Sequence, residues 1–193
     1  MSAEEFLKNY LSDFSELVRP GDDIISDLVQ IRDTIIAANN NGCKTIIVGN
    51  GGSSAIASHF SVDLTKNAGV RCINFNEADL ITCFSNDYGF EQWVAKAIEF
   101  YGDEGDVLIA ISSSGSSENM INGCKAARDQ NFSSVITFSG FNSSNTLHQL
   151  GDVNVWVDSK AYNYVENIHQ IWLLAIVDLV IGKREYSACF IYF

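Results

Sequence analysis

Five short runs dominate the chain: KTIIVG (44–49), RCINF (71–75), DVLIAIS (106–112), SSVITFS (133–139) and VNVWV (153–157). They are rich in β-branched residues and apolar at successive positions, which is how a strand reads when both of its faces are buried. Between them lie segments with apolar residues at helical spacing: Ser54 to Lys66, Ala78 to Phe84, Phe90 to Tyr101, Glu118 to Gln130, Thr146 to Leu150, and a long one from Tyr162 to Ile181. Strand–helix alternation commits the chain to a parallel α/β sheet with helices on both faces, because parallel neighbours need a crossover between them. Crossovers of that kind are right-handed, and ligands sit outside the carboxyl ends of the strands. Two further helices precede the first strand. Phe6, Leu7, Tyr10, Leu11, Phe14, Leu17 and Val18 form one apolar stripe that stops near Pro20-Gly21, and Ile24 to Ile36 form another that ends at NNNG.

Composition narrows the function. The 193 residues suit a single domain, and a 47% hydrophobic content supports a substantial core. With 24 acidic against 12 basic side chains the net charge is −12. Bulk charge therefore argues against nucleic-acid or anionic-membrane partners. No apolar run long enough to span a bilayer stands out. The first residues carry acids where a secretion signal needs bases, and the five cysteines are odd in number with no C-x-x-C pair. A cytoplasmic protein with reduced, mostly packed thiols is expected.

Two loops fall at the predicted carboxyl ends: Gly49-Asn50-Gly51-Gly52-Ser53-Ser54 after the first strand, and Ser112-Ser113-Ser114-Gly115-Ser116-Ser117 after the third. A single Ser/Gly run reads as an ordinary capped turn. Two of them, each wedged between a buried strand and a helix start, describe a phosphate cradle of backbone N–H groups, hydroxyls and helix dipoles. Such a cradle needs no lysine, which suits a chain of this charge. Neither loop has the G-x-G-x-x-G or G-x-x-x-x-G-K-[ST] pattern, so no nucleotide cofactor is expected. Just beyond the first loop, His59 and Asp63 are spaced i, i+4 on one helix face. They read either as a surface pair or as an acid/base pair.

In this order GNGGSSAIASHF, SNDYGFEQWV, GDVLIAISSSGSSENM and VENIHQIWLLAIVDLV resemble the sugar isomerase (SIS) domain, and within it the phosphoheptose isomerases. The resemblance covers about Leu7 to Gly182. It implies a flavodoxin-like three-layer sandwich with a five-stranded parallel sheet, in one domain over residues 1–193. N-terminal helices at 3–40 would serve subunit packing, a sheet core would span 44–157, and a C-terminal helix would span 162–182. It further implies a homotetramer with a phosphosugar site between subunits. The implied reaction converts sedoheptulose 7-phosphate to D-glycero-D-manno-heptose 7-phosphate, supplying heptose for surface polysaccharide. By resemblance the phosphate falls to Ser112, Ser113, Ser114 and Ser117, and the sugar to Asn50, Gly51, Gly52, Ser53 and Ser54, with Asp87 of NDYGF as a further substrate residue.

The same resemblance marks departures. The family's base is a glutamate where this chain has Asp63, one methylene shorter. On the last helix the family has a glutamine, a histidine and a second, catalytic histidine where this chain has Glu166, His169 and Leu174. Asp63 is then the expected base, with His59 or Glu166 as its partner. His169 reads as a packing residue and His148 as a surface one. Some family members bind zinc; here the resemblance would leave His59, Asp63 and Glu166 as a three-ligand set for zinc or another divalent ion. Leucine cannot carry a proton, so the alternative is a phosphosugar- or protein-binding SIS module without catalysis.

Overall fold

A computed structural model describes residues 1–186 of the chain. It contains seven α-helices: α1 (Ala3–Leu17), α2 (Asp22–Asn40), α3 (Gly52–Lys66), α4 (Ala78–Tyr88), α5 (Trp93–Tyr101), α6 (Glu118–Asp129) and α7 (Tyr162–Ile181). The strands are β1 (Thr45–Gly49), β2 (Cys72–Ile73), β3 (Val107–Ser112), β4 (Ser134–Ser139) and β5 (Val153–Trp156). They form one sheet in the order β2-β1-β3-β4-β5, with every neighbouring pair parallel. This is the doubly wound order whose switch point lies between β1 and β3. The expected flavodoxin-like three-layer sandwich is what the chain adopts.

Alternate residues of the central strands feed two separate cores, as the two-residue period of a strand requires. Ile47, Ile109, Ile111, Ile136 and Phe138 pack under α2, α3 and α7, against Ile31, Ile35, Phe60, Leu64, Trp172 and Ile176. Ile46, Val48, Leu108, Ala110 and Val135 face α5 and α6, against Trp93, Val94, Ile98, Met120 and Cys124. Helix α7 is long and apolar enough to cross a membrane by length and composition. Its Val165, Ile168, Trp172, Leu173, Ile176 and Val177 are instead buried in the first core, so a core helix explains its apolarity. His169 lies on the same face, fully buried, with Nε2 3.0 Å from the Ser139 carbonyl. Burial pushes its imidazole down to about 4, which fits a neutral packing histidine.

The register of β1 on β3 positions everything that follows. Thr45 sits beside Val107 and Gly49 beside Ile111, so both strands end at the same edge. At the opposite end Asp106 is buried and accepts the backbone N–H groups of Lys44 and Asp103, each at 2.9 Å. Its other contact is the Lys44 ammonium at 2.6 Å. The carboxylate thereby holds the starts of β1 and β3 level.

Local chemistry overrides the sequence expectation in several places. RCINF pairs only over Cys72–Ile73, because Asn74 and Asn76 turn their side chains to α3. Asn74 donates to Ser61 Oγ at 2.7 Å, and Asn76 donates to the Ser54 carbonyl and to Ser58 Oγ. The expected helix at Thr146 to Leu150 is a single 3-10 turn, Leu147–Gln149. The helix expected from Phe90 begins at Trp93, because Gly89 at φ +90° ends α4 and a turn follows it. His148 is half-buried rather than at the surface, and its Nδ1 has no partner. Cys72 and Cys124 are buried, Cys43 is half-buried and Cys83 exposed, all as free thiols. Residues 187–193, with Cys189 and most of the aromatic tail, lie outside the described residues.

Phe60 is completely buried beside the exposed His59 and anchors α3 on the sheet. Replacing it with alanine is expected to cost about 3–5 kcal/mol, read as a lower urea midpoint at unchanged m-value.

Candidate active site

The chain leaves β1 at Gly49 and reverses through Gly51, whose φ of +54° lies in the region that favours glycine. Gly52 then opens α3 directly against the Glu166 carboxylate of α7; any Cβ there would collide with it. Asn50 and Asn119 exchange two amide hydrogen bonds, at 2.9 and 2.8 Å, so the first loop is stapled to the first turn of α6. The second loop turns at Gly115, φ +65°, where a Cβ would strike the Asn145 side chain. Asn145 is itself pinned, donating to Ser139 Oγ and to the Gly140 and Asn142 carbonyls.

Between the loops lies a cleft of about 120 Å³, lined by Asn50, Ser53, Ser112, Ser113, Ser114, Ser117, Tyr162 and Glu166, with Ile111 at its base. Ser112 Oγ and Ser117 Oγ are 3.0 Å apart. The Ser113 hydroxyl is buried without a partner, so it is left to a ligand. Ser117 is the N-cap of α6 but makes no side-chain bond to the helix; its hydroxyl pairs with Ser112 instead. Neither lysine nor arginine lines the cleft. An anion there meets hydroxyls and the positive end of α6, as a lysine-free cradle requires.

His59 and Asp63 stand further along α3. Seven residues at helical rise place His59 about 10 Å from Gly52. Helices α3 and α7 run side by side, so that Glu166 meets Gly52 and Gln170, one turn later, meets His59. His59 Nε2 is 3.2 Å from Asp63 Oδ2, and its Nδ1 is 3.1 Å from the Gln170 amide nitrogen. Asn67 donates to Asp63 Oδ1 at 3.1 Å. Burial raises the Glu166 carboxyl above the ordinary range. Burial, with the Asp178 and Asp63 carboxylates nearby, likewise raises the Tyr186 phenol.

The structure therefore gathers Asn50, Ser53, Ser112, Ser113, Ser114, Ser117 and Glu166 in one cleft, framed by Gly51 and Gly52. It pairs His59 with Asp63 nearby. Ser54 is half-buried beside the cleft and gives its carbonyl to Asn76. Asp87 is exposed on α4, bonded to Cys83 and Asn86, and does not line the cleft. The three-ligand metal set is not assembled: among the described residues no three His, Cys, Asp or Glu side chains come together. Glu166 lies at Gly52, both His59 nitrogens are engaged, and position 174 is leucine, so these residues do not fit such an ion. Asn119, Tyr162 and Gln170 were missed by motif reading. Asn119 follows the serine loop closely enough to have been suspected; Gln170 has no signal outside the packing of α7 on α3.

Comparison with known proteins agrees with this geometry. The SIS domain family matches residues 9–140. A phosphoheptose isomerase of Buchnera aphidicola subsp. Acyrthosiphon pisum is 30% identical over 189 residues, which is 95% of this chain and 92% of the relative. The chain belongs to the SIS domain family, among its phosphoheptose isomerases. The Serratia proteamaculans phosphoheptose isomerase is 33% identical over 82% of this chain and 83% of its own. The structure of phosphoheptose isomerase GmhA from Neisseria gonorrhoeae superposes with a TM-score of 0.84, at 26% identity, over 93% of this chain and 98% of its own.

Two outcomes follow for the cleft. Gly115→Ala, strained at positive φ and driven into Asn145, is expected to weaken inorganic phosphate binding at least tenfold by calorimetry. Glu166 binds its proton more tightly folded than unfolded, so its contribution to stability falls as pH rises from the ordinary carboxylate range through its raised folded value. Glu166→Gln should therefore raise Tm by about 1–2 °C at neutral pH, a gain that vanishes once the pH is taken below about 4.

Proposed function

We propose that this protein interconverts sedoheptulose 7-phosphate and D-glycero-D-manno-heptose 7-phosphate through an enediol. The observation that carries this reading is the separation between the serine cleft and the His59–Asp63 pair along α3. A phosphate held by Ser112, Ser113, Ser114 and Ser117 leaves an extended seven-carbon chain to run along α3 toward His59, where the Asp63 carboxylate reaches back to within 3.2 Å of the ring. Asn50, Ser53 and Glu166 line the same cleft and would hydrogen-bond the hydroxyls nearest the phosphate.

In this scheme the Asp63 carboxylate removes a proton from C1 of the ketose while the C2 oxygen gains one, giving the enediol. The O1 proton then leaves as C2 takes a proton on the enediol face, and the aldose is formed with no net redox change. His59, in contact with Asp63, serves the oxygen protons. No metal enters the scheme. The enzyme would act in the cytoplasm as a homotetramer, with the apolar Phe6, Leu7 and Leu11 left exposed on α1 available for subunit packing. Its product would feed heptose into surface polysaccharide, and Asp87 would approach substrate only in that assembly.

Leu174 favours a second reading, a phosphosugar-binding module without catalysis. NMR of the protein with sedoheptulose 7-phosphate separates the two. The aldoheptose phosphate should appear, and Asp63→Asn should lower kcat by about a hundredfold or more. Ligand-induced stabilisation without product would establish the binding module instead.

A further inference from the structure

We infer that Tyr162, propped by Phe141, is the specificity-determining residue of the serine cleft. Its ring covers the carbon chain of a bound phosphomonoester and so selects sugar phosphates over inorganic phosphate. The cleft encloses about 120 Å³, below the roughly 300–1,000 Å³ of a pocket that takes in a whole ligand. It therefore admits the phosphate group and leaves the attached carbons to pass its rim. Ser53, Ser112 and Ser113 line the interior, at 3%, 5% and 5% exposure. Tyr162, at 58%, is the one exposed side chain among the described residues of the lining, so it forms the rim.

An exposed phenol ring ordinarily moves among its rotamers. Here the Phe141 ring meets it edge to face, with centroids 4.8 Å apart and planes at 68°. Phe141 stands there at φ +58°, and among the described residues it is the only aromatic one at positive φ. For so bulky a residue that backbone is a true outlier, kept only where its surroundings fix it. They do so on every side. The Gly140 N–H donates to the Ser113 carbonyl at 3.0 Å, and the Phe141 N–H donates to the Ser159 carbonyl at 2.9 Å. The Asn145 amide holds the Gly140 and Asn142 carbonyls. The strained turn is thus tied to the serine whose hydroxyl is buried without a partner. Phe141 also packs against the first core, so core, serine loop and Tyr162 meet at one side chain. Hydroxyls and the start of α6 answer the phosphate oxygens, but they offer nothing to the carbons beside a phosphate ester. A ring fixed at the rim supplies that apolar surface and loses little freedom on binding. The inference deepens the isomerase reading by naming how the site selects its substrate class. It rests on that reading's phosphate cleft and not on turnover.

Calorimetry on the full chain tests this with inorganic phosphate and glucitol 6-phosphate, a sugar-alcohol phosphate with no carbonyl to isomerise. The parent should bind glucitol 6-phosphate roughly tenfold more tightly than inorganic phosphate. Tyr162→Ala should weaken glucitol 6-phosphate about tenfold while inorganic phosphate changes less than about twofold. Tyr162→Phe should stay within about twofold of the parent for both, because the ring and not the hydroxyl makes the contact. Phe141→Leu, which keeps an apolar side chain against the core, should weaken glucitol 6-phosphate severalfold and leave inorganic phosphate alone. A parallel loss for both ligands in Tyr162→Ala, or a loss for neither, overturns the inference. So does a Tyr162→Phe variant as weak as the alanine one, or a Phe141→Leu variant with parental affinities. A parent that binds neither ligand removes the phosphate cleft and the inference with it. A parent that shows the expected pattern but converts no sedoheptulose 7-phosphate fails only as an isomerase.

Discussion

The parallel pairing of β1 with β3 is the constraint on which the rest depends. It places Gly49 beside Ile111, and therefore releases the glycine loop and the serine loop from the same edge of the sheet. A slip of one residue would send every side chain of β1 to the opposite core. The alternation of Ile46, Ile47 and Val48 between the two cores leaves no such freedom. Asp106, just before β3, supports the same register from the far end by accepting the backbone N–H groups of Lys44, just before β1, and of Asp103 in the preceding turn. The cleft is thus a consequence of sheet registration before it is a matter of its own residues.

Charge then decides how the cleft can work. A chain of net −12 offers an anion an unfavourable field, and no basic side chain lines the cleft to offset it. What remains is local: hydroxyls, one of them buried without a partner, and the start of α6. These groups are fixed in advance by glycines that admit no side chain and by the Asn50–Asn119 and Asn145 amide bonds. Little reorganisation is then needed on binding. Glu166 is the discordant element, a carboxyl among the cleft's hydroxyls, held above the ordinary range by burial.

The packing of α7 on α3 supplies the second half of the site. Side-by-side helices bring Glu166 to Gly52 and Gln170 to His59. Leu174, one turn beyond Gln170, brings no acid/base group to that face. The His59–Asp63 pair and the Gln170 amide are what the structure retains there.

By itself the sequence determined the layer architecture, the two loops and most of the cleft. Strand and helix periods follow from which faces are buried, and a glycine at a turn is visible one residue at a time. The His59–Asp63 pair was legible for the same reason, since both residues belong to one helix. Only the tertiary structure decided contacts between elements distant in the chain. It showed that β2 shortens because Asn74 and Asn76 bond α3, and that Asp87 stands away from the cleft. It also showed that His59, Asp63 and Glu166 do not converge as a metal set, and that Gln170 completes the histidine. Those outcomes depend on how helices rotate and slide against one another, and residue spacing within a single element carries no information about that.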